Sequence, residues 1–280
     1  MTEPLERQRV VFTDLDGTLL GPDQTLSTTD RSTLQRLGAS GIARVVVTGR
    51  SLLSCDRVID PDFPIDFLVT SSGAGIFYHQ PRRLMHRFGM TTSEIQSAIE
   101  VLELLRLDFM VHESVPENHR FHWRRFGAPN PDFDRRLALY AGHHRMLADA
   151  LPEDGAQLLA IGSADDATKR HEELQRRLPG HNVLRTTSPL DHSSTWYEIF
   201  PRDVGKAQSA QWLCDTLDLD GSTALAVGND FNDLDMLRWA PTSCVVSNAP
   251  AALTGEFQSV ADHRESGFSE AVARWLSQTA

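Results

Sequence analysis

Residues 10–20, with the sequence VVFTDLDGTLL, constrain the fold more than any other stretch of the chain. An apolar run typical of a buried strand ends in Asp14 and Asp16, and Gly17 and Thr18 follow at once. Side chains two residues apart on a strand point to the same face, so the two carboxylates converge at the strand's carboxyl end. Ligands bind at that end of an open α/β sheet. The spacing therefore predicts a parallel α/β sheet with a charged site after its first strand.

Two carboxylates held this close repel each other, so a divalent cation, a shared proton or both must offset their charge. Gly17 allows the backbone to turn sharply and approach a ligand. One carboxylate can then act as a nucleophile while the other transfers protons. The alternative interpretation is a strand followed by a polar turn, because Asp and Gly are common turn residues. The choice between the two depends on the rest of the chain.

Short apolar strands alternate with amphipathic helices near both ends of the chain, a pattern that favours a doubly wound parallel sheet. The predicted strands there are 10–14, 43–48, 67–70, 224–228 and 244–247, and the predicted helices are 28–40, 206–217, 233–239 and 268–277. The middle of the chain is rich in His and Arg and mixes helices with irregularly spaced strands. We therefore expect a doubly wound α/β core of residues 1–85 and 193–280, with an α+β domain of residues 86–192 inserted into it.

The composition excludes several classes of protein. Across 280 residues, 40% hydrophobic and 23% charged residues are ordinary for a globular protein, and the net charge of −11 disfavours binding to nucleic acid or to anionic membranes. Three cysteines without ligand-like spacing argue against disulfides and a zinc site. Residues 1–9 are charged, unlike a signal peptide, and no apolar run is long enough to span a bilayer. We expect a cytoplasmic protein, either a monomer or a homodimer.

Two further strand ends carry groups that suit a phosphate. Thr48 and Gly49 follow the second predicted strand and offer a hydroxyl beside accessible backbone amides. Lys206 begins a predicted helix, and its point charge could stabilise both a phosphoryl group and the paired aspartates. Taken singly, each has a simpler interpretation, as a glycine turn and as a surface lysine.

The fourth strand end is the richest in oxygen ligands. Residues 228–233, with the sequence GNDFND, place several carboxylate and amide side chains after a strand. Such hard oxygen ligands suit Mg²⁺. An acidic helix cap is the alternative, but one residue would satisfy a cap.

Together, the four strand ends closely resemble the motifs of the haloacid dehalogenase (HAD) superfamily of phosphohydrolases. Further segments resemble its Cof-type branch, whose members carry a large α/β cap: 48–50 (TGR), 198–201 (EIFP), 248–250 (NAP) and 265–268 (ESGF). The resemblance implies a HAD-like Rossmannoid core, an inserted cap that selects the substrate, and Mg²⁺-dependent hydrolysis of a small phosphorylated metabolite such as a sugar phosphate.

The resemblance also implies a role for each motif residue. Asp14 would attack phosphorus and form an aspartyl phosphate, and Asp16 would act as general acid and then general base. Thr48, Gly49 and Lys206 would hold the phosphoryl oxygens. The implied Mg²⁺ ligands are Asp14, Asp16 through its backbone carbonyl, Asn229 and Asp233.

One position departs from the family pattern. The fourth motif usually reads Gly-Asp-x-x-Asn-Asp, and this chain has Asn229 at the position of the first aspartate. An amide carbonyl can bind Mg²⁺ but adds no negative charge, so we expect weaker metal affinity. Alternatively, Asp230 takes over with a shifted backbone.

The cap and the reaction class leave alternatives open. Arg50, Arg124 and Glu198 are candidates for substrate contacts, although Arg-rich stretches are more often solvated surface or ion-pair partners. A phosphomutase would use the same aspartyl phosphate and pass it to another hydroxyl group. A phospho-ligand-binding protein with a weakened site is the third hypothesis. We rank the phosphatase first, because Asp14, Asp16, Thr48 and Lys206 are all present.

Overall fold

The computed structural model describes residues 8–148 and 151–278, so most of the predicted charged N-terminus lies outside the described residues. The strands are β1 Gln8–Thr13, β2 Ala43–Val47, β3 Phe67–Thr70, β4 Gly75–Tyr78, β5 Arg83–Arg87, β6 Met90–Thr91, β7 Asp108–His112, β8 Phe121–Arg124, β9 His144–Met146, β10 Asp154–Gly155, β11 Gln157–Gly162, β12 His181–Thr187, β13 Thr195–Pro201, β14 Leu219–Gly228, β15 Thr242–Val246 and β16 Gln258–Val260. The α-helices are α1 Thr28–Ala39, α2 Leu52–Cys55, α3 Thr92–Leu104, α4 Pro131–Leu139, α5 Ala167–Arg177, α6 Lys206–Leu217, α7 Leu234–Trp239, α8 Ala251–Glu256 and α9 Gly267–Gln278. None of the described helices combines the length and apolarity needed to span a bilayer.

The described residues form two compact units. The first contains those of Met1–Gly49, Asp56–Met85 and Lys206–Ala280, and the second contains those of Arg50–Cys55 and His86–Gly205.

The first unit is built on a mixed sheet with the strand order β16-β15-β14-β1-β2-β3-β4-β5. The pairs from β16 to β3 are parallel, and β4 runs antiparallel to β3. Helices α1 and α9 pack together, as do α6 and α7, and both pairs contact the sheet. This architecture confirms the predicted α/β fold with a Rossmann-like parallel core.

The central strand β1 positions the first motif. Val10, Val11 and Phe12 are almost completely buried, which explains the unbroken apolar run, because a parallel strand in the middle of a sheet is covered on both faces. Thr13 lies in register with Val46 of β2 and Val227 of β14. The carboxyl ends of three neighbouring strands therefore meet at one edge of the sheet.

The second unit contains a six-stranded sheet with the order β12-β13-β11-β7-β8-β9, in which the described pairs are antiparallel except β8 with β9. Apolar side chains of α3 and α5 pack with one face of this sheet. Side chains of α4, including Phe133, pack with Met110, Leu159 and Trp196 of the opposite face. Strands β6 and β10 form a separate two-stranded sheet.

The division into units differs from the predicted boundary after residue 192. Strand β13 pairs with both β11 and β12, so the segment that we assigned to the core at 193–205 belongs to the second unit. Hydrogen bonding on both sides of β13 is the physical reason, since a central strand cannot leave its sheet without losing two ladders. The short segment Arg50–Cys55 also belongs to the second unit.

The buried Asp30 of α1 joins this helix to α9. Its Oδ1 accepts hydrogen bonds from the backbone N–H and the hydroxyl of Ser269, at 3.1 and 2.6 Å, and its Oδ2 accepts one from the Ser27 hydroxyl at 2.8 Å. The substitution Asp30→Ala would remove the acceptor of all three hydrogen bonds. We expect it to lower the free energy of unfolding, measured in urea, by about 2–4 kcal/mol. The exposed Asp62→Ala is the control; equal stability losses in the two variants would contradict this role for Asp30.

His112 makes the stability of the second unit depend on pH. Its Nδ1 lies 2.7 Å from the carbonyl oxygen of Asn118. Burial, and next the charge of Arg136, lower the pKa of His112 from 6.5 to about 3. The unfolded chain therefore takes up a proton that the folded chain does not between pH 6.5 and 3, and stability is lost as the pH falls through this window.

We expect the free energy of unfolding to fall between pH 6.5 and 5 by up to about 1.4 kcal/mol per pH unit from this residue alone. Urea titrations at several pH values should show a shallower dependence for His112→Gln than for the control His192→Gln, whose ring is exposed. An identical pH slope in both variants would show that His112 is not responsible.

Candidate active site

Asp14 extends the sheet by one residue beyond β1. Its backbone N–H donates to the carbonyl of Val227 at 2.9 Å, which fixes the start of the loop. The carboxylate is only 5% exposed. Its Oδ1 accepts a hydrogen bond from Lys206 Nζ at 2.7 Å, and its Oδ2 accepts one from the Thr18 hydroxyl at 3.4 Å.

Lys206 is the first residue of α6, and its side chain is fully buried. Its Nζ lies 2.7 Å from Asp14 Oδ1 and 2.5 Å from Asp233 Oδ1, so one ammonium group bridges two carboxylates. Burial lowers the pKa of Lys206, but the two carboxylates raise it by more, and the pKa lies above its usual value. Lys206 therefore carries a positive charge at neutral pH, and its burial excludes the interpretation as a surface lysine.

Asp233 holds the loop that follows β14. Its Oδ1 accepts from Lys206, and its Oδ2 accepts the backbone N–H groups of Asn229 and Asp230 at 2.8 and 3.0 Å. A Cβ on Gly228 would lie 2.7 Å from the Asp233 side chain, so the glycine makes this close approach possible. Both oxygens of Asp233 are thus engaged by donors of the protein.

The protonation of Asp14 reflects opposing influences. Burial raises the pKa of Asp14 most, Lys206 lowers it, and the charges of Asp233 and Asp16 raise it, so that the pKa rises from 3.8 to about 7. The charge of Lys206 therefore does not fully offset the influences that favour the neutral form of Asp14. An added cation would favour the charged form of Asp14.

Three oxygen-bearing groups converge here: the Asp14 carboxylate, the backbone carbonyl of Asp16 and the side-chain amide of Asn229. The Asn229 amide lies across from Asp14 Oδ2 and the backbone carbonyl of Asp16, and the amide atom that faces them is 3.2 Å from the first and 3.3 Å from the second. With the amide oxygen at that position, the spacing is close to the roughly 3.0 Å between neighbouring ligands in an octahedral Mg²⁺ site. The residues present therefore fit a magnesium ion. The candidate ligands include a backbone carbonyl and an amide as well as a carboxylate. Among the described residues, no group of three or more His, Cys, Asp and Glu side chains could hold a metal ion.

Thr48 directly follows β2, the other neighbour of β1. It is buried, its backbone N–H donates to Val69 at 2.9 Å, and its carbonyl accepts from the N–H of Ser72, also at 2.9 Å. Ser72 adopts a left-handed backbone conformation with φ of 52°. A Cβ on Gly49 would make only ordinary contacts, at 3.6 Å, with the side chains of Ser72 and Asn232.

Asp235 was not among the residues predicted from the sequence. It accepts the backbone N–H of Ala207 at 3.1 Å and so caps the start of α6 next to Lys206. Burial raises its pKa. Asp233 and Asp235 repeat the two-residue spacing of Asp14 and Asp16, a signal that could have drawn attention to it.

The structure divides the candidate residues between the units. Asp14, Asp16, Thr48, Gly49, Lys206, Asn229 and Asp233 all belong to the first unit, and Arg50, Arg124 and Glu198 belong to the second. Arg50 donates to the carbonyl and hydroxyl oxygens of Ser54, both at 3.3 Å. Arg124 forms an ion pair with Glu103, and Glu198 is buried in β13.

We expect Lys206→Met to lower the free energy of unfolding by about 3–5 kcal/mol, because it leaves the buried Asp14 and Asp233 facing each other without a counter-charge. The double variant Lys206→Met/Asp233→Asn should recover part of this loss, since it removes one of the two charges. Chemical denaturation of the wild type, the two single variants Lys206→Met and Asp233→Asn, and the double variant gives a double-mutant cycle. Strictly additive effects would contradict the bridge.

Comparison with known proteins agrees with this geometry. The sequence profile described as haloacid dehalogenase-like hydrolase matches residues 11–276. The chain is 26% identical to an HMP-PP phosphatase of Citrobacter koseri over 96% of each chain. It is 22% identical to the 5-amino-6-(5-phospho-D-ribitylamino)uracil phosphatase YcsE of Bacillus subtilis, also over 96% of each. Its fold matches that of the HAD subclass IIB sugar phosphatase BT4131 with a TM-score of 0.75, at 16% identity over 96% of this chain and 99% of the other.

Proposed function

Because the chain belongs to the haloacid dehalogenase-like hydrolase family, we propose that this HAD-type phosphatase hydrolyses a small phosphorylated metabolite, a sugar phosphate, with Mg²⁺ and an aspartyl-phosphate intermediate. One observation carries the proposal: the buried Lys206 ammonium joins Asp14 and Asp233 at the carboxyl end of the central strands. A nucleophilic carboxylate held by a fixed cation is what phosphoryl transfer requires, since positioning and charge neutralisation dominate its catalysis.

The reaction has two displacements at phosphorus. An oxygen of Asp14 forms a bond to phosphorus as the bond to the leaving oxygen breaks, and Asp16 gives that oxygen its proton. Asp16 then takes a proton from a water molecule, which attacks the phosphorus of the aspartyl phosphate. Inorganic phosphate leaves, and Asp14 regains its carboxylate.

The first unit offers Mg²⁺ the carboxylate of Asp14, the backbone carbonyl of Asp16 and the amide oxygen of Asn229. The bound ion would polarise the phosphoryl group and offset its negative charge. We assign Asp233 to positioning Lys206 and the loop, because it accepts three hydrogen bonds, one from Lys206 and two from backbone N–H groups of the loop. Asp230 accepts the N–H of Phe231 at 2.7 Å and caps the turn, which favours Asn229 over Asp230 as the third ligand.

Thr48, Gly49 and Lys206 would hold the phosphoryl oxygens, as the family resemblance implies. Thr48 supports this role by its place after β2, next to the strand that carries Asp14. The charge of Lys206 stabilises both the nucleophile and the transferred group.

The second unit would act as the cap that selects the leaving group. Arg50, Arg124 and Glu198 remain its candidate substrate residues. The buried Glu198 interacts electrostatically with the half-buried Arg136. Arg124 would have to exchange its partner Glu103 for a ligand. The relatives named above make HMP-PP and 5-amino-6-(5-phospho-D-ribitylamino)uracil rational test compounds beside sugar phosphates.

Release of inorganic phosphate from this panel, with Mg²⁺ and with chelator, tests the proposal. We expect Mg²⁺-dependent release and a loss of about 10³-fold or more in Asp14→Asn, since the amide is a poor nucleophile. The exposed Asp62→Asn should retain activity. Isomer formation without phosphate release would identify a mutase, and binding without any turnover in the folded protein would overturn the assignment as a phosphatase.

A further inference from the structure

The side-chain amide of Asn229 has two orientations of nearly the same shape. Rotation by half a turn about its final bond exchanges Oδ1 and Nδ2. The atom that faces inward lies 3.2 Å from Asp14 Oδ2 and 3.3 Å from the carbonyl oxygen of Asp16. The two orientations therefore present opposite chemistry to the same two oxygens.

With Nδ2 inward, the amide donates one hydrogen bond to Asp14 Oδ2 and another to the Asp16 carbonyl. Both acceptors are satisfied without a cation, because an amide NH₂ carries two donors. With Oδ1 inward, this oxygen faces the other two at 3.2 and 3.3 Å, an arrangement that is repulsive unless a cation lies among them.

The surroundings allow rotation but prevent the side chain from swinging away. The backbone N–H of Asn229 is held by Asp233 at 2.8 Å. On the outer side, a Cβ on residue 17 would lie 2.6 Å from the Asn229 amide, and Gly17 has a φ of +71°. Gly17 thus leaves room for the amide where a larger residue would not, and a half turn about the final side-chain bond exchanges the two amide atoms in place.

We propose that Asn229 is a two-position positioning residue: its NH₂ group replaces the cation in the metal-free enzyme, and its amide oxygen joins the ligands when Mg²⁺ binds. This inference rests on the proposed Mg²⁺-dependent function. Binding of Mg²⁺ must then break two hydrogen bonds, and the third ligand adds no charge. The site therefore keeps its geometry without metal, and its affinity for Mg²⁺ is lower as a result.

The substitution Asn229→Asp keeps the shape of the side chain but removes the donors. In chelator we expect it to melt lower than the wild type by at least about 2–4 °C, because three oxygens then converge without a donor or cation. The dissociation constant of Asn229→Asp for Mg²⁺ should be lower than that of the wild type by about tenfold or more, since the new ligand is charged. The control Asn232→Asp makes the same charge change on the same loop. It should lower the melting temperature in chelator less than Asn229→Asp does, and it should tighten Mg²⁺ binding less.

The side-chain NH₂ signals of Asn229 give a readout that is independent of activity. They can be assigned in ¹⁵N spectra of metal-free protein as the pair absent from Asn229→Asp. We expect slow exchange with solvent in chelator, because both N–H groups are engaged, and a shift with faster exchange when Mg²⁺ is added.

The possible outcomes separate the inference from the proposed function. If Mg²⁺ binds to the wild type but the NH₂ pair does not change, or if Asn229→Asp melts no lower than the wild type in chelator, Asn229 does not alternate and the phosphatase assignment stands. If Mg²⁺ neither binds nor supports phosphate release in the wild type, the proposed function and this inference both fail. Lower melting in chelator, tighter Mg²⁺ binding and an NH₂ response together establish the exchange.

Discussion

The buried bridge from Lys206 to Asp14 and Asp233 is the interaction on which the site depends. It joins the end of β1, the start of α6 and the loop after β14, three segments far apart in the sequence. An unpaired charge in this position would be strongly destabilising, so each of the three groups requires the others. Through Asp233 the same bridge orients the backbone of Asn229, which faces Asp14.

Most of the core could be predicted from the sequence, because its parallel strands are apolar runs and its helices have clear ends. The helix Lys206–Leu217 has the predicted bounds, and the strand Phe67–Thr70 does too. The second unit was harder to predict. Helix α4 has only nine residues, and β8 has only four, so the helical period of the first and the apolar–polar alternation of FHWR in the second are weak signals. The long-range pairing of β13, which moves the boundary between the units, depends on partners that local periodicity does not reveal.

The site shows the same distinction between local and long-range information. The two-residue spacing of Asp14 and Asp16 and the polar ends of β2 and β14 were sufficient to predict which residues gather. Local sequence could not show that Asp233 accepts from Lys206, because this contact brings the start of α6 against the loop after β14. The close approach of Asn229 to Gly17 and Asp16 has the same origin, since it joins residues more than 200 positions apart.

The most direct test of the account is to trap the phosphorylated enzyme. Protein quenched in acid during turnover of its best substrate would be treated with borohydride, which reduces an aspartyl phosphate to homoserine, and then digested for mass spectrometry. We predict homoserine at position 14 in the Mg²⁺-supplied wild type and none in protein quenched without substrate. Turnover with an unmodified Asp14, or with phosphate on another side chain, would contradict the central claim that Asp14 is the nucleophile.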